Sequence, residues 1–208
     1  MTNKEKIAIV GAGGFGREVF HLLDNKLYEC IGFIDYEKKS NLPAHVIGHE
    51  DNIIKLMGEY SFSSCVLAIG DIKTRKMIFN QMNKFSLNYP TVIDSSVKCF
   101  SEEMADGVII YPGAVIMNGC KIGKFTLLNS GVTLGHDVII GDFCNINPGA
   151  HLAGRITIGG GVFIGIGASV KENIRIGNNV VIGAGSVVLK DVPDNTTVYG
   201  VPAKAAHS

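Results

Sequence analysis

The chain has no tryptophan, no surplus of either charge and few charged residues of any kind. Lys plus Arg number 19 and Asp plus Glu number 19 among 208 residues, so the formal charge is zero and only 18% of residues are charged. Without clustered Lys/Arg there is no broad cationic face for nucleic-acid phosphates and no polybasic patch for a membrane surface. No apolar run approaches the ~20 residues of a bilayer span. The opening MTNKEKIAIVGAGG has neither the long apolar core nor the cleavage site of a signal peptide, so the expected location is the cytoplasm. The five cysteines, Cys30, Cys65, Cys99, Cys120 and Cys144, are widely spaced and form no CxxC, which reads as free buried thiols. There is no HExxH or clustered Cys/His set, so no metal site is expected. A GxSxG elbow is missing, and no Walker motif follows from the early glycines.

What is abundant is glycine, 26 residues, against an apolar fraction of 46%. The glycines divide the chain into two rhythms. In residues 1–90, Lys6–Val10, Cys30–Ile34 and Cys65–Ile69 read as short buried strands. Phe15–Leu27, Glu50–Met57 and Asp71–Lys84 read as helices between and after them, and Leu87–Ile93 leads out. Strand and helix alternate, which implies a small parallel sheet of three or four strands with covering helices, half of a full dinucleotide-binding domain.

Residues 91–208 follow a period of six. Stepping by six from Ile110 to Val188 meets only Ile, Leu or Val, without gap or insertion. Two residues before each of these stands a small or β-branched residue, from Ala114 and Cys120 through to Ser186. Glycine recurs one residue after, at Gly123, Gly135, Gly141, Gly159, Gly165, Gly177 and Gly183. A period of six is neither helical nor a simple alternation. It describes a short strand with one inward face and then a turn, and three such units close a triangular coil of about 18 residues. Residues 97–191 then hold about five stacked coils of a parallel β-helix. The glycines are expected to permit the turns.

Two groups of residues carry chemistry. Gly11-Ala12-Gly13-Gly14-Phe15-Gly16 follows a strand and opens a helix, with Asp35 ending the next strand. This meets the formal dinucleotide fingerprint. An empty strand-to-helix turn and a nucleotide sugar held by backbone amides are the other readings. Length disfavours NAD, because no hydride-transfer domain follows. Of the six histidines, His21 falls in a helix, His45 and His49 in a loop, and His207 in the tail. His136 and His151 lie in the hexads. His136 precedes Asp137, and a carboxylate beside an imidazole can orient it; adjacency alone does not prove contact, since neighbouring strand residues face opposite sides.

The hexads, ending in Val198-Tyr199-Gly200-Val201-Pro202-Ala203-Lys204, resemble the hexapeptide-repeat acyltransferases. With the GAGGFG unit in front, the whole chain is similar to their sugar acetyltransferase subgroup, which includes sialic acid O-acetyltransferases and bacillosamine, perosamine and viosamine N-acetyltransferases. The resemblance implies a left-handed β-helix, a homotrimer, and acetyl-CoA as acyl donor. It implies an α/β, Rossmann-like half domain that holds the nucleotide of a nucleotide-sugar substrate. It makes His136 the general base, with Asp137 beside it. Gly13, Gly14, Phe15, Asp35, Tyr36, Gly70 and Arg75 match the nucleotide-sugar positions, and Asn129 is a sugar-side candidate near the base. Subgroup members often carry histidine where this chain has Phe15, a second acid where it has Tyr36, and a second histidine where it has Asn145.

Coenzyme A would contact Asn145, Gly154, Gly165, Ala168, Gly183, Ala184, Pro202 and Lys204, with the Gly154 amide serving the oxyanion. Asn145 reads equally as a turn asparagine. The implied activity is acetyl-CoA-dependent N-acetylation of a UDP-, dTDP- or GDP-linked 4-amino-4,6-dideoxy sugar in surface polysaccharide or glycan biosynthesis. O-acetylation of sialic acid or another sugar hydroxyl is the alternative, since one base serves both nucleophiles. A non-catalytic β-helix is the reading from another class.

Overall fold

The computed structural model describes residues 4–37 and 39–206. The chain divides into two compact units, Met1–Val92 and Ile93–Ser208.

The first unit is a four-stranded parallel sheet. Its strands are β1 (Glu5–Val10), β2 (Tyr28–Ile34), β3 (Val46–Gly48) and β4 (Ser64–Leu67), in the order β3-β2-β1-β4. Ile7, Ala8 and Ile9 in the central strand are fully buried, as are Phe33 and Ile34 beside them, which is why the strands read as unbroken apolar runs. The helices are α1 (Gly14–Leu22), α2 (Ile53–Tyr60) and α3 (Ile72–Met82). Asp71 caps α3, its carboxylate accepting the Thr74 N–H at 2.8 Å.

Two sequence expectations need correcting. Helix α1 stops at Leu22 rather than Leu27, because Asp24 turns the chain and its carboxylate accepts the Lys26 N–H at 2.8 Å. Strand β3 escaped notice because it is three residues long, follows Pro43 and lies at the sheet edge.

The second unit is a parallel β-helix with three walls of strands two or, at Thr197–Tyr199, three residues long. One wall of five strands runs from Glu103–Met104 to Arg175–Ile176, and one of six from Lys98–Cys99 to Val187–Val188. The third has eight strands and closes on Lys204–Ala205, which pairs antiparallel with Thr197–Tyr199. Thr133 faces His151 and His151 faces Ser169, so the coils of the stack advance eighteen residues, after a first step of seventeen from Lys98 to Val115. The last coil is shorter: Val181 faces Thr197, sixteen residues on. The hexad aliphatics fill the interior; Ile110, Ile116, Leu128 and Ile146 are each 0% exposed. Burial of each stabilises by about 1.5–3 kcal/mol.

The glycines that follow the aliphatics do not make the turns. They sit where one coil lies on the next: a Cβ on Gly135 would stand 2.6 Å from the Ala153 carbonyl carbon. The left-handed turn residues come two positions later, as at Asp137 (φ 59) and Gly131 (φ 67). They stack in columns, one of which is Gly119, Asp137, Arg155 and Asn173.

Candidate active site

His136 and Asp137 occupy a turn, not a strand, and this resolves the question of their contact. The left-handed backbone at Asp137 swings its carboxylate back toward its neighbour, so Oδ2 lies 2.7 Å from His136 Nδ1. The Asp137 carboxylate also reaches over Gly119, where any Cβ would collide with Oδ1. Both side chains remain solvent-accessible, 46% for His136 and 58% for Asp137.

Eighteen residues on, the next coil places Gly154 against the imidazole. A Cβ there would lie 2.6 Å from His136 Nε2, so only glycine leaves the ring its position. Arg155 follows. Its main-chain N–H donates to the His136 carbonyl at 2.8 Å, and its Nη1 approaches His136 Nε2 at 3.3 Å. An imidazole oriented on one nitrogen by a carboxylate keeps its lone pair on the other, and once Arg155 moves off that nitrogen it can take a proton from a nucleophile.

Arg155 was missed from the sequence. The signal was present in the period: adding eighteen to His136 and to Asp137 reaches Gly154 and Arg155.

Of the other implied residues, Asn129 stands at the preceding turn, its Oδ1 accepting the Ser130 N–H at 2.8 Å. Asn145 lies in a strand between Leu127 and Phe163 and is 4% exposed, which corrects the turn-asparagine reading. Ala168 is sealed inside the coil at 0% exposure, so it faces no outer groove. Gly165 is buried beneath Gly183 and Ala184: a Cβ on it would stand 2.5 Å from the Ala184 nitrogen. Ala184, Pro202 and Lys204 are exposed. His151 accepts or donates through Nδ1 to Thr133 Oγ1 at 2.8 Å, on an outer wall. His207 lies outside the described residues.

In the first unit the glycine loop is braced from three sides. Gly11 takes φ 102, and a Cβ on it would meet the Ala68 carbonyl oxygen at 2.6 Å. The Gly11 N–H donates to the Ile34 carbonyl at 2.8 Å. Asp35 Oδ2 accepts the Ala12 N–H at 2.6 Å, while Oδ1 accepts the Glu37 N–H at 3.0 Å and Lys39 Nζ pairs with Oδ2 at 3.2 Å. Burial pushes the Asp35 carboxyl up, but these two amides and Lys39 outweigh it and hold the group below its ordinary value.

A cleft of about 390 Å³ opens over the start of α1, lined by Ala12, Gly13, Gly14, Arg17, Lys39, Ser40 and Leu42. Phe15 is half-buried and Gly70 exposed. Tyr36 is 84% exposed, with its ring edge-on to His49 at 5.3 Å. Arg75 is 2% exposed and donates through Nη1 to the Ile69 carbonyl at 2.6 Å, so it shapes the loop before Gly70 from within. Arg17 and Lys39 were missed: Arg17 stands one helical turn beyond Gly13 and Gly14, a local signal that went unused, while Lys39 is brought to the glycines by the fold.

Residues 6–82 match the PglD N-terminal domain, and residues 119–154 and 155–190 match the bacterial transferase hexapeptide repeats. Among solved structures, the acetyltransferase domain of PglB from Neisseria gonorrhoeae is 30% identical, covering 98% of this chain and 100% of that one, with a TM-score of 0.84. PerB from Caulobacter crescentus, in complex with CoA and GDP-perosamine, is 26% identical over 100% of this chain and 99% of that one, with a TM-score of 0.89. WeeI from Acinetobacter baumannii is 27% identical over 98% and 100%, with a TM-score of 0.83. No curated protein sequence matches the chain. The half-domain with its braced glycine loop, the eighteen-residue coils and these likenesses agree: the chain belongs to the hexapeptide-repeat, left-handed β-helix acyltransferases, in their sugar acetyltransferase subgroup.

Proposed function

We propose that the chain is an acetyl-CoA-dependent N-acetyltransferase for a nucleotide-linked 4-amino-4,6-dideoxy sugar, with His136 as general base. The observation that carries this reading is the His136–Asp137 pair, 2.7 Å apart at a turn, with Nε2 set against Gly154. Family membership supports the acyl transfer. The solved PglB domain with acetyl coenzyme A and the perosamine N-acetyltransferase complexes with CoA and GDP-perosamine support the donor, the acceptor class and the amine.

The chemistry follows from the residues. The acceptor amine attacks the thioester carbonyl carbon while His136 Nε2 takes its proton. Asp137 accepts the Nδ1–H and pairs with the imidazolium that forms. The Gly154 N–H serves the developing oxyanion. The C–S bond then breaks and coenzyme A leaves as thiolate, which the imidazolium protonates. Gly13 and Gly14 in the α1 cleft, flanked by Arg17 and Lys39, receive the nucleotide diphosphate. The active form is a homotrimer, since a base this exposed gains a closed site only from a neighbouring copy.

The test is thiol release from acetyl-CoA against UDP-, dTDP- and GDP-linked 4-amino-4,6-dideoxy sugars, with sialic acid included. Turnover of one amino sugar is expected, and it identifies reaction, nucleotide and acceptor together. Turnover of sialic acid alone would replace N- by O-acetylation. Silence throughout would overturn the reading.

A further inference from the structure

His136 Nε2, the atom that takes the proton, does not stand open. Arg155 Nη1 lies 3.3 Å from it. A guanidinium carries donors only, so Arg155 donates and Nε2 supplies its lone pair. The ring proton therefore sits on Nδ1, facing Asp137. The arginine is itself anchored. Its main-chain N–H holds the His136 carbonyl, and its Nε donates to Asn173 Oδ1 at 2.8 Å. Asp137, Arg155 and Asn173 share the left-handed conformation at φ 59, 58 and 62, stacked eighteen residues apart. The base on one coil is thus capped by a side chain of the next.

A capped base cannot accept a proton. Its lone pair is occupied, and an imidazolium formed there would stand against a guanidinium at about 3 Å, a like-charge contact. Arg155 has to leave Nε2 before transfer begins. We propose that Arg155 is a positioning residue that keeps water off His136 until the acceptor amine displaces it, and so protects the bound thioester from hydrolysis. The proposal rests on His136 being the base. The suppressed step is attack of a water oxygen on the thioester carbonyl carbon, with one water proton passing to Nε2. The C–S bond breaks, the departing thiolate takes that proton back from His136, and acetic acid is released with the second. When the amine arrives, it takes the place of Nη1 at Nε2, and the Nε contact to Asn173 keeps the guanidinium beside the site.

The experiment measures thiol release from acetyl-CoA with no acceptor present. It compares wild type with Arg155→Ala, Arg155→Met, Arg155→Lys, His136→Gln and the His136→Gln/Arg155→Ala double variant, each checked for folding by thermal melting. Arg155→Ala is expected to raise acceptor-free release by about tenfold or more, within the roughly 10²–10⁴-fold that a general base supplies. Arg155→Met, which fills similar space without a donor, should do the same and stands in if the alanine variant does not fold. Arg155→Lys, which restores a cationic donor, should stay near wild type. His136→Gln should erase the rise in the double variant. Unchanged release in a folded Arg155→Ala or Arg155→Met protein overturns the proposal, and so does a rise that survives loss of His136. Wild-type transfer to an acceptor by His136→Gln alone would show that the assignment of the base has failed, and would take this proposal with it.

Discussion

At the scale of single residues, the site depends on side chains whose neighbours lie either beside them in sequence or one coil away. His136→Ala is expected to lower turnover at least ~100-fold, the usual contribution of a general base, with the melting temperature unchanged. Asp137→Ala, which removes the acceptor at Nδ1, should cost about tenfold or more in the same assay. Near wild-type turnover by a folded His136→Ala protein would remove the base from the mechanism. Asp35 acts differently, as a brace. Its folded carboxyl titrates below the ordinary value of 3.8, so its contribution to stability is present above that value and is lost as pH falls through the folded one. Asp35→Ala should therefore destabilise the first unit by about 1–3 kcal/mol at neutral pH, since it strands the Ala12 N–H. The gap between the two proteins should narrow in denaturant titrations run below pH 3.8. An undiminished gap there would separate the effect from the charge.

At the scale of elements, two kinds of glycine do different work. Gly135 is needed for contact between coils, so Gly135→Ala should overpack the stack by about 1–3 kcal/mol. In a chain of this size each kcal/mol lowers the melting temperature by about 2–4 °C. Gly131 is needed only for its φ of 67, with open space where a Cβ would stand. Asparagine tolerates that conformation, as Asn173 and Asn179 do here, so Gly131→Asn should melt within a degree or two of wild type. Equal shifts for both would contradict this division. The strands are two or three residues long and hold because successive coils are hydrogen-bonded to one another. The Gly135 N–H reaches the Leu152 carbonyl at 2.8 Å, and the Asn129 N–H reaches Ile146 at 2.9 Å. A single such strand would not survive alone.

At the scale of the whole molecule, a stack in which each coil contacts only its neighbours should open from its ends. Amide exchange is expected to be slowest around Leu128, Leu134 and Ile146 and faster around Lys98 and Thr197, at the two ends of the stack. Uniform protection along the stack would speak against independent fraying. Sedimentation is expected to read three chains, and a fully active monomer would refute the trimer. Among the described residues no helix is long and apolar enough to cross a membrane.

The period of six carried the β-helix, its core residues and its coil length on the page of the sequence, because the interior of a stacked coil admits only apolar side chains at fixed intervals. The alternation of apolar runs with helical spacing likewise carried the parallel sheet of the first unit. His136 was legible as a candidate from its neighbour Asp137, but the bond between them was not. That bond exists because the pair forms a turn with a left-handed residue, and periodicity does not say which side of a glycine the turn falls on. Strand β3 was hidden by its three-residue length, and the true end of α1 by one aspartate. The eighteen-residue step pointed to Arg155 and the first turn of α1 to Arg17, but the contact of Arg155 with Nε2 and the approach of Lys39 to the α1 cleft were settled by tertiary structure alone. Arg155 reaches its place across a coil and Lys39 across a loop, and a local pattern records what a residue is but not what the fold stacks against it.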